Sequence, residues 1–360
     1  MRRFDSLDGL RCLAIVPVVW HHATPRPLEG ALGRGPLGVD LFFAISGFLI
    51  TTLLLREREN YGRIAMRAFY MRRTLRIFPL YYLVLGAFVV HALLFREHGE
   101  VRDHFWRSLP FHATYTTNWL VDFDVPHVVV FTFAWSLATE EQFYLVWPWV
   151  LRVRGLFVPA AFMGALFLLD QAAERGWLAI ESPLALRMLR SVAAPICLGS
   201  LLAIGIRAPR VSGVLSSILG WRFSAPIVFA LLVWSVIAPW PLLVAHVLMT
   251  ALVGACAVRA DHGLRALTDA RAVRHVGVVS YGIYLLNVPI VVATRRLLGP
   301  LETQTWLVFA LSLAGSIAAA TVTYRLVERP IQTWRVRRLV RGYVTHPEVG
   351  ETAASARPVT

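Results

Sequence analysis

Along this chain the apolar positions fall in long blocks, continuous within each block rather than alternating with polar residues. Ten blocks lie near 9–24, 37–55, 77–95, 130–151, 155–169, 189–206, 223–238, 240–258, 275–294 and 305–327. Each is long enough, or nearly so, to cross ~30 Å of hydrocarbon as a helix; the first and fifth are short. A membrane strand would show period-two alternation, whereas a helix satisfies its own backbone in a continuous apolar run. The pattern predicts an all-α polytopic membrane protein with about ten transmembrane helices.

The polar stretches between the blocks set the orientation. With the N-terminus in the cytoplasm, inside segments hold 24 arginines and outside segments 10. This excess of inside arginine predicts both termini on the cytoplasmic side. Asp5, Asp8 and Arg11 precede the first apolar core and no small-residue cleavage site follows it, so an uncleaved first helix is expected. Two outside loops are long, 96–129 and 170–188, and suit the gripping of an acceptor. The membrane domain is expected to occupy 1–335. The tail 336–360 starts basic, for anionic headgroups, and ends small and polar.

Composition agrees: 57% of residues are hydrophobic and 16% charged. All 36 basic residues are arginine and the net charge is +14, but the excess follows the loops of one side, which argues against a nucleic-acid partner. Cys12, Cys197 and Cys256 each sit within an apolar run and read as small buried hydrophobes, with no metal spacing. There is no P-loop, dinucleotide fingerprint, zinc-protease helix or nucleophile elbow, and no metal is expected.

Charged residues in apolar surroundings are the candidates for chemistry. Arg11 and His22 are eleven residues apart, which on a regular helix puts them on one face, ~16 Å apart. Two readings stand: a snorkelling arginine with an interfacial histidine, or a functional pair inside the membrane. Asp40, at the mouth of the second span, either complements the helix dipole or orients His22 across the short outer loop. Arg72, Arg73 and Arg76 cluster at an inner interface, as a topology signal or a phosphate site. Glu140 and Glu141 open an apolar segment, either as dipole partners or paired with His22 or an arginine within the bundle. Ser280, Tyr284 and Asn287 form a polar stripe that suits interhelical hydrogen bonding.

In order along residues 4 to 335, the stretches "FDSLDGLRCLAIVPVVWHH", "LGVDLFFAISGFLIT", "YMRRTLRIFPLYY", "WSLATEEQFYLVWP", "VSYGIYLLNVP" and "VERP" resemble the acyltransferase-3 family of bacterial membrane O-acyltransferases. The resemblance implies transfer of an acyl group, commonly acetyl from acetyl-CoA, to a hydroxyl of a carbohydrate or sugar-bearing acceptor. It implies that Arg11 and His22 are the R-x10-H pair, that Arg73 and Arg76 meet the cytoplasmic acyl-CoA, and that Glu141 belongs to the E-E-Q-F-Y segment. One departure is Asn287, where relatives often carry histidine; Asn cannot take a proton near neutral pH. On this reading Arg72, Arg73 and Arg76 hold the CoA phosphates. His22 acts as general base or forms an acyl-imidazole, with Asp40 or Glu141 holding its tautomer. The acceptor alternatives are a surface polysaccharide or lipid-linked sugar and a macrolide-type antibiotic sugar. The rival of another class is a polytopic exporter of modified glycans.

Overall fold

A computed structural model describes residues 5–24, 33–94, 99–121, 131, 133–238 and 240–334. The tail 336–360 and part of the 96–129 loop lie outside them. The described residues form helices and connecting turns, with no strand. In chain order these are α1 (Asp5–Ala23), α2 (Leu37–Tyr61), α3 (Met66–Leu94), α4 (Glu100–Ala113), α5 (Thr117–Leu120), α6 (Ala134–Val150), α7 (Phe157–Glu174) and α8 (Pro183–Arg190). They continue with α9 (Ala194–Gly205), α10 (Pro209–Leu219), α11 (Ser224–Ile237), α12 (Leu242–Val258), α13 (Arg265–Thr268), α14 (Arg271–Val278), α15 (Ser280–Leu298) and α16 (Thr305–Thr323).

Among the described residues, five helices are long and apolar enough to cross a membrane, and up to seven if α8 with α9 and α10 with α11 each count as one bent span. The other expected crossings coincide with α1, α6 and α12. The first carries Asp5, Asp8 and Arg11; the second carries Glu140 and Glu141 in 17 residues; the third is apolar but also only 17 residues long. In α1 the charges that suggest chemistry thus interrupt the apolar window, whereas α6 and α12 fall short in length. The α10–α11 pair bends by 79°, so α10 is not a straight extension of its neighbour. Large apolar side chains point outward, among them Leu168 at 66% exposure and Trp306 at 65%. Faces of this kind belong against hydrocarbon rather than water.

Long α2 is the central post. It packs most closely on α9, where Gly47 lies against the Ile196 carbonyl and Gly199 against the Ala44 carbonyl. A side chain at either glycine would collide with backbone, so the two helices approach at small residues. Gly38 brings α2 equally close to the Ala14 carbonyl of α1. At its far end Arg207 donates to the Thr52 carbonyl (3.2 Å) and pairs with Glu59 (3.1 Å). The helix stops at Gly62, whose φ of 67° is the left-handed turn that glycine adopts without strain.

The two ends of α1 are fixed differently. Near its start Gly277 lies against the Asp8 carbonyl, and Ser6 donates to Asp269 (3.1 Å). Near its end Arg295 donates to the Ala23 carbonyl (2.8 Å). Thus α1 and α15 run parallel, and Arg11 and His22 sit at opposite levels of the bundle.

Candidate active site

An open cavity lies between α1, α2, α3, α6 and α15, enclosing about 780 Å³ with its open side included. Arg11, Arg73 and Arg76 line it, together with Ser46, Glu140 and Tyr144. Apolar side chains of α2, including Phe42, Phe43 and Ile50, form another wall, and Ser280, Tyr281 and Tyr284 of α15 complete it. Three guanidiniums therefore converge from two helices that are more than sixty residues apart in sequence.

Each cation is held from behind. Arg11 pairs with Asp8 at 2.7 Å, one turn earlier on the same helix. The guanidinium of Arg73 stands 5.7 Å from the centre of the Tyr144 ring, a cation–π contact, and its Nε is buried without a hydrogen-bond partner. Arg76 lies near Glu328, which is itself buried. Glu328 closes a π-helical turn at Tyr324–Glu328 that continues α16, a distortion that turns side chains away from the regular helical register. The anionic side of the cavity is equally structured. Ser46 donates to Glu140, and its oxygen lies 3.1 Å from the Tyr144 hydroxyl. Glu141 has Glu140 and Arg73 as its charged neighbours, and its Oε1 is buried without a hydrogen-bond partner.

The tyrosines of α15 are pinned. Tyr281 donates to the Ile77 carbonyl (2.7 Å), and Tyr284 donates to the Phe133 carbonyl (2.8 Å) while meeting Ser136 (2.6 Å). These bonds fix the wall that leads from the arginines toward the other end of α1. His22 does not line the cavity. It is half-buried, and its Nδ1 lies 2.5 Å from Oδ1 of Asn287, which is fully buried. Asn287 in turn bonds the Tyr284 carbonyl (2.6 Å), so the stripe Ser280–Tyr284–Asn287 joins the cavity to the His22 level.

Two expectations about contacts change. Asp40 is not the partner of His22: its Oδ2 pairs with Nε2 of His246 at 3.2 Å, because α12 packs beside the start of α2. Glu141 does not reach His22 either; it sits at the Arg73 level. The orienting contact comes instead from Asn287. Arg72 also separates from its neighbours, since its guanidinium turns to Glu57 (3.0 Å) and does not line the cavity, whereas Arg73 and Arg76 do. Successive helix positions are ~100° apart, so adjacent arginines cannot share a face. Sequence reasoning gave no role to Ser46, Tyr144, His246 or Glu328. The one available signal was polarity within apolar runs, as in "AISGF", "EEQFY" and "LVERP". Among the described residues no cluster of side chains could hold a metal ion.

A family model described as an acyltransferase domain, of the acyltransferase-3 type, matches residues 4–325. The peptidoglycan O-acetyltransferase OatA of Listeria monocytogenes is 26% identical over 91% of this chain and 55% of its own length. A Bacillus subtilis protein provisionally named as a peptidoglycan O-acetyltransferase, YrhL, is 27% identical over 96% of the chain and 57% of its own length. A Staphylococcus aureus protein provisionally named as an O-acetyltransferase is 37% identical over a shorter stretch, 42% of the chain and 25% of its own length. The chain spans little more than half of the first two relatives. No solved structure matches it.

Proposed function

The chain belongs to the acyltransferase-3 family, and from that premise we propose that it is an acyltransferase that moves an acyl group, acetyl in the first instance, from cytoplasmic acyl-CoA to a hydroxyl of a carbohydrate acceptor. The observation that carries this reading is the cavity lined by Arg11, Arg73 and Arg76, in which Arg73 presents a buried N–H without a protein partner. Three guanidiniums around one space suit phosphate oxygens, which accept paired, charge-assisted hydrogen bonds. The relatives named for peptidoglycan O-acetylation make a cell-wall or other surface glycan the first acceptor class to test. A macrolide-type sugar is the second.

In this reading the ten apolar segments all cross the membrane, α1, α6 and α12 included. Both termini are cytoplasmic, and the enzyme resides in the bacterial inner membrane. CoA phosphates sit at the arginines and the long arm runs along the α15 stripe, bringing the thioester to His22. The imidazole takes the proton of the acceptor hydroxyl. The hydroxyl oxygen bonds to the thioester carbon, the C–S bond breaks, and the proton passes to the departing thiolate. General-base assistance of this kind contributes ~10²–10⁴ in rate.

The test uses purified protein, radiolabelled acetyl-CoA and a panel of glycan and glycosylated acceptors, followed by intact mass and release of free CoA thiol. Wild type transfers label to one acceptor class, while His22→Ala folds but loses transfer. A folded His22→Ala protein with wild-type transfer would overturn the role of His22. A panel with no acetylated acceptor and no CoA release would overturn the donor assignment.

A further inference from the structure

The hydrogen bonds of Asn287 have a consequence for His22. Its Nδ2 donates to the carbonyls of Ile283 (3.1 Å) and Tyr284 (2.6 Å), so both amide hydrogens are used on the backbone of its own helix. Its Oδ1 is left facing Nδ1 of His22 at 2.5 Å. Turning the amide over would bring its oxygen against two carbonyl oxygens and aim an N–H group at the ring, so the backbone carbonyls fix which end faces His22. An amide oxygen only accepts, and therefore the ring nitrogen opposite it must donate. Asn287 is fully buried and has no freedom to swing away. Among the described residues the other ring nitrogen, Nε2, has no hydrogen-bond partner.

We infer that Asn287 is a positioning residue that holds His22 as the Nδ1–H tautomer, leaving the lone pair of Nε2 for the reaction. The order of command runs from the backbone of α15 through the side-chain amide to the imidazole, without a carboxylate. An asparagine does this without offering a second proton site next to His22, which a histidine there would. The geometric part of the inference rests on α1 and α15 alone. Its consequence for rate rests on the role proposed for His22.

The experiment separates the two. Protein carrying 15N-histidine is placed in detergent or nanodiscs, and the His22 signals are identified by their loss in His22→Ala. Ring nitrogens with and without a proton are far apart in 15N shift. Wild type shows His22 protonated at Nδ1. Asn287→Leu, which keeps the volume and removes the acceptor, moves the proton to Nε2 or mixes the tautomers. Asn287→Asp, which retains an acceptor oxygen, keeps it on Nδ1. In the transfer assay Asn287→Leu loses roughly 10²-fold or more in kcat with little change in the acyl-CoA KM, and Asn287→Asp recovers most of the loss. A His22 that remains protonated at Nδ1 in folded Asn287→Leu, or one protonated at Nε2 in the wild type, would overturn the assignment. If the tautomer shifts as stated while His22→Ala remains active, the positioning stands and the catalytic reading fails.

Discussion

Three arginines within five residues read identically in sequence, yet their surroundings separate them. Arg73 and Arg76 line the cavity, while Arg72 is turned to Glu57. If the cavity holds the anionic head of the donor, the separation has a kinetic signature. Each lost charge-assisted hydrogen bond costs about 1.5–3 kcal/mol, which is ~10- to 100-fold in affinity. Arg73→Ala with Arg76→Ala is therefore expected to raise the acyl-CoA KM by at least ~10-fold. Arg72→Ala, measured in the same assay, leaves it near wild type. Equal effects of the two variants would mean that the arginines act together through the inner surface charge, not through the cavity.

At the scale of elements, two predictions follow from how helices are seated. Gly47 on α2 meets the Ile196 carbonyl, whereas Gly86 on α3 has open space around it. A leucine at Gly47 must push α9 away, and overpacking of this kind costs ~1–3 kcal/mol. Thermal unfolding in detergent is expected to show Gly47→Leu clearly destabilised and Gly86→Leu unchanged or slightly improved. The second concerns α4, which lies outside the proposed spans. His112 is fully buried there, 3.0 Å from the Thr117 hydroxyl, and burial pushes its pKa down to about 4, with His104 adding a smaller effect in the same direction. Its folded pKa is thus below the unfolded value of ~6.5. The folded form is fully favoured above that value, and the advantage is lost as pH falls, completely by about pH 4. The loss amounts to about 3 kcal/mol at most. The hydrogen-exchange protection factors of α4 and α5, which are taken relative to the intrinsic exchange rate at each pH, are expected to fall between pH 6.5 and 4, and His112→Gln removes that dependence.

These elements also show where sequence reading reaches its limit. The helices follow from local periodicity and were legible. The partners were not. Asn287 lies 265 residues beyond His22, and His246 lies 206 beyond Asp40, so only the packing of α15 and α12 decides that an amide rather than a carboxylate meets the His22 imidazole. The two bends, 42° between α8 and α9 and 79° between α10 and α11, fall at the edges of the apolar blocks 189–206 and 223–238, where hydropathy carries no direction for the chain.

For the whole molecule, function depends on which side the arginine cavity faces. The cavity and the Asp8 end of α1 share one level, while His22, Asn287 and the Arg295 contact share the other. If all ten apolar segments cross, the turns after α2 and α6 lie with the arginines, and the turns after α7 and α15 lie with His22. Arg63, Arg154, Trp177 and Glu302 are exposed in those turns and can each carry a single cysteine. The native Cys12, Cys197 and Cys256 are replaced by alanine for this purpose. With a membrane-impermeant maleimide on intact spheroplasts, Trp177→Cys and Glu302→Cys are expected to label at once, and Arg63→Cys and Arg154→Cys only after permeabilisation. The reverse pattern would put the guanidiniums on the face away from cytoplasmic acyl-CoA, and labelling of Arg63→Cys and Arg154→Cys from opposite sides would mean that α3 or α6 does not cross. The expected pattern places the donor's charged head on the side where it is made and leaves His22 three helical turns away, toward the face where a surface glycan would have to arrive.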